Sequence, residues 1–216
     1  GPLLPFQSKA SDELHAHDCF LVMGEGMGLE EVICKFLLRL AWLEETILVL
    51  GNAVDAWHLR WNMRLSGLPI SQLPVHISAT TPAAERRRAY SRGGIVVLSA
   101  RIGIVDLLTR RFGKVGGVLV LYVERATESS QEAFCVRIVR EQHPDAWVKG
   151  VSARPSAITS GIHRAERLLR VLNLTQLSLW PRFRSEVSES LDSQAPEVVE
   201  LAQPLSPRMQ TLQRYI

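Results

Sequence analysis

The chain has 216 residues, 46% of them apolar and 22% charged, with a formal net charge of +3. That balance suits a domain with a sizeable core and excludes a wholly disordered, collagen-like or disulfide-scaffold protein. The longest apolar runs, such as Gly116 to Val123, are strand-sized and short of the roughly 20 residues a membrane span needs. Gly1 to Ser11 shows no basic stretch followed by an apolar core, so no secretory signal is read there. Cys19, Cys34 and Cys135 lie far apart inside apolar runs, the usual setting of buried reduced thiols. The expectation is an intracellular, soluble protein without a membrane partner.

Periodicity then gives a repeating alternation along the chain. Cys19 to Met23 is a short apolar run followed by the turn Gly24-Glu25-Gly26-Met27-Gly28. Leu29 to Trp42 reads as an amphipathic helix, with Val32, Ile33, Phe36, Leu37 and Leu40 on one face. Thr46 to Leu50 is a strand, Val54 to Leu65 a helix, and Val75 to Ser78 a short strand. Pro82 to Ser91 (helix), Ile95 to Ser99 (strand) and Val105 to Phe112 (helix) lead to Gly117 to Val123, the strongest strand pattern. Ser129 to Arg140 is helical. Trp147 to Ser152, His163 to Leu172 and Leu177 to Trp180 read as strand, helix and strand. Beyond Pro181 the pattern turns polar and Ser-rich, with helical pieces around Arg184 to Leu191 and Arg208 to Ile216.

Strands alternating with helices of this length imply crossover connections and a buried, mainly parallel sheet with helices on both faces. We assign residues 1–183 to this α/β domain and 184–216 to a C-terminal segment that reads as cut short.

The charge is unevenly distributed. Between Pro82 and Arg125 stand nine basic residues against three acidic ones, so this window carries +6 and the rest of the chain about −3. Arginine outnumbers lysine 21 to 4. Its planar fork suits phosphate, although a GC-rich genome produces the same bias. Nucleic acid is a candidate partner.

A Gly-rich turn between a first strand and a first helix is where phosphate-binding α/β folds hold their ligand. Gly24, Gly26 and Gly28 supply such a turn. A phosphate loop then needs Lys for the β and γ phosphates and Ser or Thr for Mg²⁺, and this chain has Leu29 and Glu30. Glu25, Glu30 and Glu31 put carboxylates where a polyanion would sit. The Asp-Glu pair that should end a later strand is also absent, since Leu121-Tyr122-Val123-Glu124-Arg125 offers Glu124 alone, which reads more simply as a solvent contact. No nucleotide cofactor and no ATP hydrolysis are expected.

Several strings carry a family resemblance. Gly93-Gly94-Ile95-Val96-Val97-Leu98-Ser99-Ala100-Arg101-Ile102 and Val105-Asp106-Leu107-Leu108-Thr109 resemble the XPF family of DNA repair endonucleases. So do Glu128-Ser129-Ser130-Gln131-Glu132-Ala133-Phe134, Leu179-Trp180-Pro181-Arg182-Phe183 and Pro196-Glu197-Val198-Val199-Glu200. Pro2-Leu3-Leu4 resembles the start of the family's chains, with Gly1 an addition to it.

The resemblance implies the N-terminal, helicase-like region: a three-layer RecA-like domain of a superfamily 2 helicase that has lost its ATPase motifs. Ser152-Ala153-Arg154 resembles a relic of the Ser-Ala-Thr motif. The family's nuclease motif, Glu-Arg-Lys followed by Asp, lies far toward the C-terminus, and no Glu-Arg-Lys string occurs here. The resemblance therefore implies no nuclease site in these residues, with Mg²⁺ needed only by the nuclease domain.

It further implies a nuclear protein that pairs with a smaller non-catalytic subunit through C-terminal helix-hairpin-helix domains. Such pairs cut DNA at double-strand to single-strand junctions in nucleotide excision, crosslink and recombination repair. The helicase-like region is expected to engage junction DNA and dock partners such as the damage-verification factor XPA. The alternative is a protein-docking scaffold without direct DNA contact.

Arg86, Arg87, Arg88 and Arg92 form the densest basic cluster, read either as a phosphate clamp or as a solvated face near a helix end. Arg101, between a strand and a helix, stands where superfamily 2 helicases contact single-strand backbone. Arg125 and Arg182 complete the DNA-binding candidates. Trp180 can stack on a base or pack in the core, core being the simpler reading. Trp57 and Trp61, four apart on one helix, read most simply as a packing stripe, and would also suit a partner groove or a neighbouring domain. His15, His17 and Cys19 lack further ligands for a metal site, and Ser152, Ser160 and His163 lack the partners of a hydrolase triad.

Overall fold

The computed structural model describes residues 3–160, 163–193 and 199–214. Its elements in chain order are α1 (Pro5–Ala16), β1 (Cys19–Met23), α2 (Leu29–Leu40), β2 (Thr46–Leu50), α3 (Ala53–Leu65), β3 (Val75–Ile77), α4 (Ala83–Arg92), β4 (Gly94–Leu98) and α5 (Ala100–Leu108). There follow β5 (Val115–Val120), α6 (Gln131–Gln142), β6 (Trp147–Ser152), α7 (Ser156–Thr159), α8 (Arg164–Val171), β7 (Gln176–Trp180), α9 (Ser185–Asp192) and α10 (Pro207–Gln213). The strands form one sheet in the order β3-β4-β2-β5-β6-β1-β7, and every pairing is parallel.

Strand side chains alternate between two cores, one on each face of the sheet. Ile47 and Val49 of β2 join Leu21 and Met23 of β1 against α1, α2, α3 and α9. Leu48 and Leu50 join Phe20 and Val22 against α5, α6 and α8, with Tyr90 of α4 on the same side. Strands β1, β2, β4 and β5 are buried throughout, which is why they read as unbroken apolar runs. This is the expected three-layer α/β architecture.

Three differences from the sequence reading matter. The pattern predicts no helix before Cys19, yet α1 is there. Pro5 starts it, the Leu4 amide donates to Gln7 Oε1 at 2.9 Å, and only Phe6, Ala10 and Leu14 make its apolar stripe. The helix expected at Val105 to Phe112 instead spans Ala100–Leu108. It begins directly after β4, and its Gly103 faces Leu98 and Cys135 so closely that a methyl there would lie 3.0 Å and 3.2 Å from them.

The strand expected at Gly117 to Val123 is Val115–Val120, because Tyr122 takes a left-handed backbone with φ 57° and turns the chain out of the sheet. Of the two tail pieces, α9 and α10 form close to where they were expected, with Tyr215 and Ile216 outside the described residues. No helix among the described residues is long and apolar enough to cross a membrane.

Candidate functional site

An all-parallel sheet sends every strand-to-helix turn to one end, and ligands of such folds bind in the crevices there. Two of the hollows at this carboxyl end carry opposite charge.

The first, of about 390 Å³, lies over the β1–α2 turn. Gly28 is the N-cap of α2 and has φ 80°. Gln7 of α1 donates to Met27 O at 3.0 Å, so the helix missed by the sequence reading braces this loop. Met27 is buried, its amide donates to Gly24 O at 3.3 Å, and its sulfur covers Gly24. The loop is therefore closed upon itself.

Leu29 and Glu30 follow, where a phosphate loop has its lysine and hydroxyl. Glu30 and Glu31 stand in the first turn of α2 and supply the negative charge that a helix N-terminus favours. Among the lining residues there is no Lys or Arg, and Glu30, Glu31 and Asp55 supply three carboxylates. Mg-nucleotide does not fit this donor set, because a triphosphate would meet carboxylates with no compensating cation.

The turn after β5 does not restore the missing acids. Glu124 is neither a solvent contact nor a ligand at the hollow. It is 6% exposed, Oε2 has no hydrogen-bond partner, and its carbonyl accepts from Arg164 at 3.0 Å. Tyr122 donates to Asp55 Oδ1 at 2.6 Å and lies under Arg125 at 4.8 Å. Its burial, and then the bond to Asp55, push the phenol up to about 12. Ser152 Oγ accepts the Arg154 amide at 3.1 Å, a local turn contact.

The second hollow, of about 540 Å³, is framed by the ends of β2, β3 and β4. Arg86 and Arg101 line it, together with His76, Ser78 and Ser99, and no acidic residue does. Arg101 is exposed in the first turn of α5, where unpaired helix amides add to its charge.

The structure separates the basic residues that adjacency grouped. The Arg86–Arg88 triplet is mid-helix, since α4 runs on to Arg92. Arg86 turns inward and donates to both oxygens of Asp106, at 3.0 and 3.1 Å. Arg111 reaches the same carboxylate at 2.8 Å, and Tyr90 OH donates to it at 2.6 Å. Asp106 itself has no exposed surface.

Arg87, Arg88 and Arg92 are exposed. At a rise of 1.5 Å per residue, Arg92 lies about 9 Å further than Arg86 from the carboxyl end of the sheet. Arg101 follows β4 and Arg125 follows β5, two strands apart in sheet order, or about 10 Å. Arg182 follows β7, on the far side of the carboxylate-lined hollow and next to Glu25 and Met27.

Trp180 is fully buried, donates to Glu13 Oε2 at 3.0 Å, and carries the Arg184 guanidinium 3.7 Å from its ring centroid. It is core. Trp57 and Trp61 are not: they are 60% and 55% exposed, and their rings stack at 6.0 Å with planes 10° apart. Ala56, Leu59 and Met63 fill the core from the other face of α3. The Asp106 cluster was missed, and a lone aspartate within Ile104-Val105-Asp106-Leu107-Leu108 was its signal. Cys19 is buried, and its burial raises the thiol to about 11. No group of three or more His, Cys, Asp and Glu able to hold a metal occurs among the described residues.

No protein-family model matches the chain. It is 34% identical over 199 residues to the DNA repair endonuclease UVH1 of Arabidopsis thaliana, covering 91% of this chain and 21% of that protein. It is 32% identical over 216 residues to the DNA repair endonuclease XPF of Drosophila melanogaster, covering 99% and 22%. The chain thus spans about a fifth to a quarter of the length of these relatives. Among solved structures, the Hef helicase domain of Pyrococcus furiosus superposes with a TM-score of 0.74 at 18% identity, covering 87% of this chain and 40% of that one. The helicase MrfA bound to DNA gives a TM-score of 0.62 at 13% identity, covering 82% and 25%. Along nearly its whole length the chain is thus similar to one part of XPF-type DNA repair endonucleases, and it shares the three-layer α/β fold of the Hef helicase domain.

Proposed function

We propose that this chain is a non-catalytic, helicase-like module of a structure-specific DNA repair endonuclease, and that it binds DNA along the hollow at the ends of β2, β3 and β4. The observation that carries the reading is the opposite charge of the two hollows. The one over the nucleotide turn presents three carboxylates and no Lys or Arg, whereas the other presents arginine and no carboxylate. A phosphate backbone is repelled from the first and drawn to the second.

Arg101 and Arg125 are the phosphate contacts of this reading, with Arg87, Arg88 and Arg92 extending the track down α4. Arg86 positions α4 rather than touching DNA, because Asp106 already holds it. Arg182 sits apart and joins only if the strand crosses the sheet end. ATP hydrolysis is no part of the reading, since Leu29 and Glu30 replace the phosphate-loop groups.

In this reading, cutting at double-strand to single-strand junctions, Mg²⁺, pairing with a smaller subunit, contact with an XPA-type factor and a nuclear location belong to a longer protein. The test is fluorescence anisotropy of this chain with fork, single-strand and duplex DNA across a salt series. Fork preference, weakened by Arg101→Ala, supports a role in choosing the cutting site. No binding to any of the three DNAs overturns the reading and leaves a protein-docking domain.

A further inference from the structure

Helix α3 turns a second apolar stripe away from the protein. Val54, Trp57, Trp61 and Leu65, at spacings of three, four and four, are 61%, 60%, 55% and 70% exposed. The core needs none of them, because Ala56, Leu59 and Met63 already close it from the opposite face. Two stacked indoles held in water give up the large burial energy that a contact surface would recover, and tryptophan anchors are enriched at interface centres. On one flank Arg60 and Arg64 are occupied, donating to Pro74 O at 2.5 Å and Leu68 O at 3.4 Å.

On the other flank the stripe runs into the carboxylate-lined hollow. The Trp57 and His58 rings are 5.1 Å apart, and His58 Nδ1 is 3.8 Å from Glu30 Oε1. The hollow beyond has no Lys or Arg to neutralise Glu30 and Glu31, and both of these are exposed.

We propose that the Trp57–Trp61 face of α3 and the adjoining hollow together dock a cationic segment of a partner protein. Arginine or lysine side chains enter beside Glu30 and Glu31, and aliphatic or aromatic residues cover the two indoles. Charge complementarity selects this occupant. The same carboxylates that repel a phosphate attract a guanidinium, and the neighbouring indole faces favour a cation over an anion. The proposal does not depend on DNA binding: of the phosphate contacts proposed above, Arg101 lines the other hollow, and only Arg125, over Tyr122, stands at the border of this one.

The test is selection of a displayed library of random linear peptides on the 216-residue chain, followed by anisotropy titration of the recovered peptides. Wild type is compared with Trp57→Ala/Trp61→Ala and with Glu30→Gln/Glu31→Gln. The recovered peptides are expected to be rich in Arg or Lys interleaved with apolar residues, and each double variant to bind them about tenfold or more weakly. All of these side chains are exposed, so unchanged circular dichroism and thermal midpoints are expected and separate lost contact from lost fold. Failure to enrich any peptide, enrichment of acidic or neutral peptides, or affinities unmoved by both variants overturns the proposal. So does tryptophan-dependent dimerisation in light scattering, which would make a second copy the occupant, or loss of DNA affinity in the tryptophan variant, which would make it a base-stacking platform.

Discussion

Asp106→Asn is expected to be the most damaging near-isosteric substitution in the chain. The carboxylate is fully buried and accepts from Arg86 with both oxygens, from Arg111 with Oδ1 and from Tyr90 with Oδ2. Asparagine keeps one acceptor and turns the other oxygen into an NH₂ that faces donors whichever way the amide is placed. Removing one partner of a buried ion pair costs about 3–5 kcal/mol. The guanidiniums retain some water, with side-chain exposures of 17% and 24%, so the lower value of about 3 kcal/mol applies. With a urea dependence of about 2 kcal/mol per M, the unfolding midpoint should fall by about 1.5 M. Arg86→Met leaves the Arg111 pair in place and should cost about half as much. Equilibrium urea unfolding followed by tryptophan fluorescence reads both. A midpoint within about 0.25 M of wild type for Asp106→Asn, at unchanged slope, would show that the cluster does not hold α4 to α5.

Arg101→Ala with Arg125→Ala should flatten the dependence of single-strand affinity on salt by about 0.7 per lost phosphate contact, and Arg86→Met should leave it unchanged; the reverse ranking removes the β4–β5 track from the interface. Gly28→Ala must adopt a left-handed backbone at φ 80° and place a methyl against the Gln7 amide. It should cost about 2 kcal/mol and lower the thermal midpoint by about 4–8 °C. Gly26, at φ 76° with open space around it, pays only the backbone strain, and equal shifts in the two alanine variants would argue that Gln7 does not brace the loop. Tyr122 is held neutral by burial and by Asp55. Its contribution to stability is full below the ordinary phenol pKa of about 10 and is lost as pH rises through about 12. Subtracting the ultraviolet titration of Tyr122→Phe from that of wild type should isolate a step near the upper value, and a step at the ordinary one contradicts the Asp55 bond. Finally, saturating Mg-ATP should leave the thermal midpoint in place, whereas a ligand at a hundred times its Kd would add about 2.7 kcal/mol.

What the sequence made legible follows from the physics of each element. Strands β1 and β2 fall where the pattern predicts, because strands buried on both faces are written as short apolar runs between turns. The start of α2 and the loss of its lysine were equally plain, since turn and helix are contiguous. Helix α1 was hidden because a stripe of three apolar residues in twelve leaves no clear period. The end of β5 was hidden because Val123 is apolar, and the departure at Tyr122 depends on partners at Asp55 and Arg125. The arginine triplet was grouped correctly as charge and wrongly as a surface. Successive helical residues point about 100° apart, so Arg86 faces Asp106 while Arg87 and Arg88 face water. Trp57 and Trp61 carry the spacing of a core stripe, and only the rival stripe of Ala56, Leu59 and Met63 decides which face is inside.

The sheet order has a consequence for synthesis of the chain. Strand β1 lies between β6 and β7, and Phe20 is in register with Gly150, roughly 130 residues downstream. At about 5–20 residues per second, β1 waits roughly 6–26 s after its own translation before the first of its two neighbours exists. During that interval Cys19–Met23 is an apolar strand with both edges open. The segments already made around it are α1 and α2, which pack against each other and share a core with it. On the ribosome these two helices are the strand's earliest cover, so Phe6, Leu14 and Phe36 shield a growing chain before they belong to a folded one.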